Sequence, residues 1–239
     1  MTYTWGHAFF IHLSADKPMP MQQLNLLGGI RTQGSSSEQI GPQAFIFRGF
    51  LLDDAAQFLA DLNGVLQVSP WRRMPTVRGW MSVDQSNCGP YGWISDKTGY
   101  RYSSTDPLSG QPWPDMPELW QQRAFEAVDA AGFKCFEPQA CLLNRYRPKS
   151  KMGLHQDRDE EDLAAPIVSV SLGLPAVFLF GGLRRTDPVE KYLLEHGDVL
   201  VWGGVDRMRF HGVMPVRQEN HELLGEQRLN LTFRRVQRR

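Results

Sequence analysis

His155-Gln-Asp157 sets an imidazole and a carboxylate two residues apart. On an extended backbone, positions i and i+2 share one face, so the two groups can converge on one point. His211, on a later predicted strand, offers a second imidazole. Two histidines and one carboxylate on one side of a metal leave three positions open, which is what a non-haem Fe(II) needs to take up O₂ and a co-substrate. A lone H-x-D recurs by chance, and ordinary polar residues remain the alternative on this pattern alone. His196, before a Gly-Asp turn, and His221, in the polar Gln218–Glu222 loop, read as solvated loop residues. His7 and His12 belong to an ambiguous N-terminus.

A second polar cluster is Arg228-Leu-Asn230-Leu-Thr232-Phe-Arg234. On a strand its polar members share one face, and Leu229, Leu231 and Phe233 share the other. Two arginines facing a pocket can grip a dicarboxylate through paired, charge-assisted bonds. Asn144-Arg-Tyr146 offers an amide and a phenol on one face of an earlier strand. The competing reading of either cluster is a solvent-facing strand with scattered charge.

The elements that must position these groups are mostly strands. Ala140–Tyr146, Ile167–Leu172, Ala176–Phe180, Tyr192–Leu194, Val199–Trp202, Arg207–Val213 and Arg228–Val236 are short and separated by turn signals, which predicts a closed or double-sheet β architecture. Two helices precede them. One follows an Asp53 cap, with Ala55, Phe58, Leu59, Leu62, Val65 and Leu66 on one face. The other runs from about Pro117 to Ala131, where Gly132 stops it. Residues 70–117, proline-rich and aromatic without a clear period, read as a lid or as irregular strand pairs. Ala44–Phe47 is a strand candidate. Residues 31–42, Gly/Ser-rich, read as linker or mobile loop, and Ala8–Ile11 is either a docked strand or part of a start placed too early. The predicted organisation is therefore a partly flexible extension over 1–42 and one domain over 43–239, with the lid at about 70–117 and the strand-rich core at about 139–236.

Lys plus Arg and Asp plus Glu are 26 each in 239 residues, which excludes bulk coating of nucleic acid or anionic membrane through net charge. Cys88, Cys135 and Cys141 form neither a disulfide framework nor a CxxC zinc pattern and read as small buried thiols. No apolar run reaches the length of a membrane span, and Met1–Leu13 lacks the basic head of a signal peptide. The expectation is a soluble, cytoplasmic monomer.

In order, Asn144-x-Tyr146, His155-x-Asp157, His211 and Arg228-x-Asn230-x₃-Arg234 resemble the signature of AlkB-type Fe(II)/2-oxoglutarate dioxygenases, which dealkylate nucleobases by direct reversal. Flanking stretches add to the likeness, notably Ala165–Pro175, Phe180–Leu183, Leu194–Asp198 and Val201–Gly204. The resemblance covers roughly residues 43–236.

This resemblance implies a mainly β protein with flanking helices: a double-stranded β-helix, or jelly roll, preceded by a nucleotide-recognition lid. It implies that His155, Asp157 and His211 bind Fe(II). Arg228 would pair with the distal carboxylate of 2-oxoglutarate, helped by Tyr146 and Asn230, while Arg234 and Asn144 would lie near its metal-chelating end. The expected reaction consumes O₂ and 2-oxoglutarate, releases succinate and CO₂, and frees the base from its N-methyl group as formaldehyde. Expected substrates are 1-methyladenine and 3-methylcytosine in single- or double-stranded DNA, with RNA left open.

Trp93 and Tyr100 match the family's lid aromatics, with Tyr102 nearby, and would stack on the cationic base. Asp159 would sit beside that base, and Arg185 matches another substrate-contacting position. Simple lid packing by the aromatics, and a plain solvated run over Asp159–Asp162, are the alternatives. An EF-hand-like loop from Asp157 is disfavoured because the required glycine is missing. One departure stands out: Gln85 occupies about the place where the family's bacterial enzyme carries a lid methionine. Arg72–Arg78 is also more basic and shorter than its counterpart. Locally the charges separate: basic groups gather in 71–101, 145–151 and 228–239, and acids in 157–162. That pattern predicts a basic path for phosphates beside an acidic spot for a cationic base.

Overall fold

The computed structural model describes residues 36–76 and 79–238. The expectations for Ala8–Ile11, His7 and His12 lie outside the described residues. Two antiparallel sheets form the core. The larger contains β1 (Ser37–Gly41), β2 (Ala44–Phe47), β5 (Asp84–Cys88), β8 (Ala140–Tyr146), β10 (Ile167–Gly173), β13 (Val199–Trp202) and β15 (Arg228–Arg234), in the order β1-β2-β13-β10-β15-β8-β5. The smaller contains β9 (Met152–His155), β11 (Ala176–Phe180), β12 (Glu190–Leu194) and β14 (His211–Val213), in the order β12-β11-β14-β9. This is the jelly-roll arrangement, and it is mainly β.

Every residue of β10 and β15 is buried, because the large sheet is covered on both sides. Alternation then sorts side chains by chemistry. Val168, Val170, Leu172, Leu229, Leu231, Phe233, Val199 and Val201 point to the outer face. There α1 (Ala55–Val68) and α2 (Glu118–Ala130) cover them with Phe58, Leu62, Trp120 and Val128. Trp120 is fully buried, stacked on Phe58 at 5.5 Å and edge-on to Phe233 at 6.5 Å. Burying each such side chain contributes about 1.5–3 kcal/mol, so this layer fixes the sheet that carries the site. At one end of the inner face, Ile46, Ile167, Leu200 and Trp202 meet Phe178 and Phe180 of the smaller sheet. The rest of that face is polar: Ser169, Ser171, Asn144, Arg228, Asn230, Thr232 and Arg234 are all buried. The alternative of a solvent-facing polar strand is thereby excluded for β15.

Residues 70–117 resolve into strand pairs. β3 (Pro75–Thr76) pairs with β4 (Gly79–Trp80), and β6 (Gly92–Asp96) pairs with β7 (Gly99–Ser103). β5 joins the edge of the large sheet through β8. Asn87 clamps the second hairpin: its Nδ2 donates to the Trp93 carbonyl at 3.0 Å and its Oδ1 accepts from the Trp93 N–H at 2.9 Å.

Several expectations are corrected. Residues 37–41, read as loop, form β1, because Glu38 and Ile46, among other pairs, complete a hairpin at the sheet edge. Asp54, not Asp53, precedes α1, and it makes no side-chain cap; its carboxylate accepts instead from Arg123 Nε at 2.7 Å. Strand structure within Arg207–Val213 is confined to His211–Val213, because a 3₁₀ segment at Gly204–Asp206 and a turn at 207–208 precede it. Cys88 and Cys141 are buried cross-strand neighbours, whereas Cys135 is exposed. No helix among the described residues is long and apolar enough to cross a membrane.

Candidate active site between the two sheets

The antiparallel pairing of β14 with β9 sets His211 directly opposite His155, with ring centroids 4.4 Å apart. Each Nδ1 faces a backbone carbonyl: Gly153 O at 2.9 Å for His155 and Arg209 O at 3.0 Å for His211. A carbonyl only accepts, so each Nδ1 carries the proton and each Nε2 keeps its lone pair for a metal. Asp157, just past β9, supplies the third group. Its Oδ1 lies 3.5 Å from His155 Nε2 and its Oδ2 3.8 Å from His211 Nε2. One ligand atom from each residue falls within 4.8 Å of the others.

The electrostatics hold Asp157 ionised and His211 neutral but favour a proton on His155, which a metal must displace. Burial alone would raise the Asp157 carboxyl, but the Arg234 charge, the His155 hydrogen bond and both imidazoles hold it well below the usual range. Burial and the neighbouring His155 push His211 down to about 4, so it is neutral. His155 is raised: burial lowers it, and the Asp157 hydrogen bond and charge outweigh that.

Arg234 grips Asp157 Oδ2 through Nε at 3.0 Å and Nη2 at 2.7 Å. Its Nε also lies 3.3 Å from Glu160. Glu160 accepts from Tyr102 Oη at 2.7 Å and from Arg207 Nη2 at 2.9 Å. Arg207 in turn donates to the Asp157 and Ala165 carbonyls. The acidic run is therefore not a plain solvated face, since Glu160 and Asp162 are buried. Sequence reasoning missed Glu160 and Arg207 as supports of the metal carboxylate. A partial signal existed for Glu160, next to Asp159 in the run; none existed for Arg207, whose partners come from one distant segment, residues 157–165.

Beside the triad an inner cavity is lined by Asn144, Tyr146, Ser169, Arg228, Asn230 and Thr232. β8 and β15 pair Tyr146 with Arg228 and Asn144 with Asn230 in register. Arg228 is 1% exposed, with its guanidinium 5.0 Å from the Tyr146 ring centroid and Nη2 donating to Ser171 Oγ at 3.0 Å. Its Nε and Nη1 find no hydrogen-bond partner among the described residues. A buried guanidinium with two unanswered N–H groups fits a carboxylate. The donor set of the triad fits Fe(II). Ser169 and Ser171 were also missed, although polar residues alternating inside the apolar β10 run were a usable signal.

A larger cavity of about 660 Å³ opens over the metal side of His155 and Asp157. Trp93, Tyr100, Tyr102, Asp159 and Arg185 all line it. Trp93 and Tyr100 stack at 5.3 Å and 16°, and Trp93 Nε1 donates to Asp159 Oδ2 at 2.9 Å. Arg185 lies over the Phe210 ring at 5.4 Å. The structure thus brings every sequence-predicted site residue to one of two adjoining cavities.

A jelly roll holding a two-histidine, one-carboxylate cluster beside an anion pocket defines the class of non-haem Fe(II) oxygenases. The sequence model of the 2OG-Fe(II) oxygenase superfamily matches residues 43–234. The chain is 50% identical over 200 residues to "Alpha-ketoglutarate-dependent dioxygenase AlkB" of Salmonella typhimurium and, equally, of Escherichia coli, covering 83% of this chain and 93% of each relative. Among solved structures, that of OsALKBH1 superposes with a TM-score of 0.74 at 29% identity, covering 84% of this chain and 100% of the other. The chain belongs to the AlkB-type Fe(II)/2-oxoglutarate-dependent dioxygenases, enzymes that use Fe(II), 2-oxoglutarate and O₂.

Proposed function

We propose that this protein removes alkyl groups oxidatively from nucleobases, with 1-methyladenine and 3-methylcytosine as substrates in single- or double-stranded DNA. RNA is the competing carrier. The observation that carries the reading is the aromatic and acidic cavity that opens onto His155 and Asp157, two members of the His155, Asp157 and His211 cluster. Both bases are cations when methylated at these positions, and an aromatic face beside a carboxylate suits a flat cation.

In this reading His155, Asp157 and His211 hold iron through Nε2 and carboxylate atoms. Arg228 binds the distal carboxylate of 2-oxoglutarate with the N–H groups now unanswered, beside Tyr146 and Asn230. Asn144 lies toward its other end, while Arg234 steadies the metal carboxylate. With iron and 2-oxoglutarate bound, the chemistry supplied is oxidation of the N-alkyl carbon by O₂, coupled to decarboxylation of 2-oxoglutarate to succinate and CO₂. The hydroxylated methyl leaves as formaldehyde and returns the base unmodified. Trp93 and Tyr100 hold the base, Asp159 faces its positive charge, Tyr102 ties the lid to Glu160, and Arg185 stands at the rim.

The test is repair of oligonucleotides carrying either base, supplied with Fe(II), 2-oxoglutarate and ascorbate, on DNA and RNA in parallel. Formaldehyde and succinate are expected in roughly equal amounts, and His155→Ala should lose both. Failure to demethylate either base would sink the nucleobase assignment.

A further inference from the structure

Gln85 is 1% exposed and lines the larger cavity. Its Nε2 donates to Asn144 Oδ1 at 2.9 Å, directly across the β5–β8 pairing. Its Oε1 has no hydrogen-bond partner among the described residues. A buried amide oxygen left unanswered is unfavourable, and such a group at a cavity wall is a site for a donor.

We propose that Gln85 selects the base: its carbonyl accepts a hydrogen bond from the exocyclic amino group next to the alkylated ring nitrogen. This rests on the function proposed above and extends it from the cationic charge of the base to its hydrogen-bond pattern. 1-Methyladenine and 3-methylcytosine carry an amino group there. 3-Methylthymine carries carbonyls on both sides of the alkylated nitrogen, which would set acceptor against acceptor, and 1-methylguanine does so on its C6 side.

An amide can ordinarily turn over to suit either partner. Here two contacts oppose that. Turning Gln85 alone would face its oxygen to Asn144 Oδ1, so Asn144 would have to turn as well. Asn144 uses its oxygen for Gln85, which leaves its amide N–H groups for the inner cavity that it lines. With an anionic co-substrate in that cavity, a turned Asn144 would present a carbonyl to a carboxylate. The bound co-substrate therefore locks Asn144, Asn144 locks Gln85, and the acceptor at the base is fixed. The apolar side chain expected here from the family resemblance could not make this distinction.

The pair 3-methylcytosine and 3-methylthymine differs at that position, in charge and in the C5 methyl of thymine. Comparing uncharged enzyme variants as a ratio of ratios cancels the charge and methyl terms. Equilibrium binding of single-lesion oligonucleotides, with 2-oxoglutarate present and O₂ excluded, is measured alongside repair rates. Gln85→Met should lower the preference for 3-methylcytosine about tenfold in binding. Gln85→Leu, which likewise offers no acceptor, should lower it to the same extent. An unchanged ratio in Gln85→Met, or equal weakening on both bases, overturns the proposal while leaving the dealkylase reading intact. Retention of the preference in Gln85→Leu would also count against it. A wild-type protein that binds and repairs neither base would overturn both.

Discussion

Replacing Arg228 with methionine should strengthen the empty protein and disable the loaded one. Arg228 is buried at 1% exposure with Nε and Nη1 unanswered, and burial pushes its pKa below the ordinary arginine value. Keeping an unpaired ion there costs several kcal/mol. The returns are one hydrogen bond to Ser171, about 1 kcal/mol, and the contact with Tyr146, about 0.5–2 kcal/mol. The difference favours Arg228→Met by about 1–2 kcal/mol without ligand, which is roughly 2–8 °C in Tm for a domain of this size. Ligand response should move the other way. At about 100 times Kd, 2-oxoglutarate adds about 2.7 kcal/mol to the wild type, or about 5–11 °C. The variant forfeits two charge-assisted bonds of about 1.5–3 kcal/mol each, weakening binding by about 10²–10⁴-fold, and its shift should vanish. Thermal melts under anaerobic conditions, with and without 2-oxoglutarate, decide it. A variant that melts several degrees lower when empty, or keeps its ligand shift, would refute the reasoning that Arg228 is held for a carboxylate.

Four further outcomes follow from other contacts. Glu160→Ala leaves Arg207 and part of Arg234 buried without their anion, so denaturant melts should show a loss of about 3–5 kcal/mol; Tyr102→Phe removes only one bond to Glu160 and should cost about 0.5–1.5 kcal/mol. Gly173 has φ +86°, and a Cβ there would meet the Gln227 carbonyl, so Gly173→Ala should destabilise by about 1–3 kcal/mol in the same melts. Metal binding requires neutral imidazoles. Because His155 is raised above its ordinary value while Asp157 is held ionised, affinity for Co(II) should fall as pH drops, beginning above 6.5 and nearing tenfold per unit; His211, near 4, adds its proton only at lower pH. Affinity flat from pH 8 to 5 in a Co(II) titration would count against that assignment.

Strand periodicity made the core legible. β8, β11 and β13 fall on their predicted bounds, since alternation and turn residues are local properties. The triad was legible for the same reason: His155 and Asp157 are two apart, and His211 needed only to lie on another strand. Arg207 was illegible because its partners, Asp157, Glu160 and Ala165, lie 42–50 residues away and meet it only after the sheets close. β1 was hidden by composition, since Ser37, Glu38 and Gln39 are exposed on an edge strand and carry no apolar alternation. The capping error has a tertiary cause: Asp54 is drawn to Arg123, 69 positions on, instead of to its own helix.

An unanswered polar atom is not by itself a mark of function. Arg72 Nε, Trp120 Nε1 and Trp202 Nε1 are buried and unpartnered as well. Arg72 already holds Asp106 with two bonds of 2.5 and 2.6 Å, and Trp120 sits in the apolar helix layer, so neither faces a ligand. Trp202 lines the inner cavity but is packed edge-on to His211 at 5.0 Å and buries most of its ring in the inter-sheet core. Arg228 and Gln85 differ because each is polar, unanswered and part of a cavity wall. One asks for an anion and the other for a donor, and they lie on opposite sides of Asn144 in the same sheet, with β15 and β5 flanking β8. On the two proposals above, the inner face of that sheet would read two ligands at once, a dicarboxylate through β15 and a base through β5, with Asn144 joining them. Occupancy of one cavity should then bear on selection in the other, which is why the base preference is best measured with 2-oxoglutarate bound.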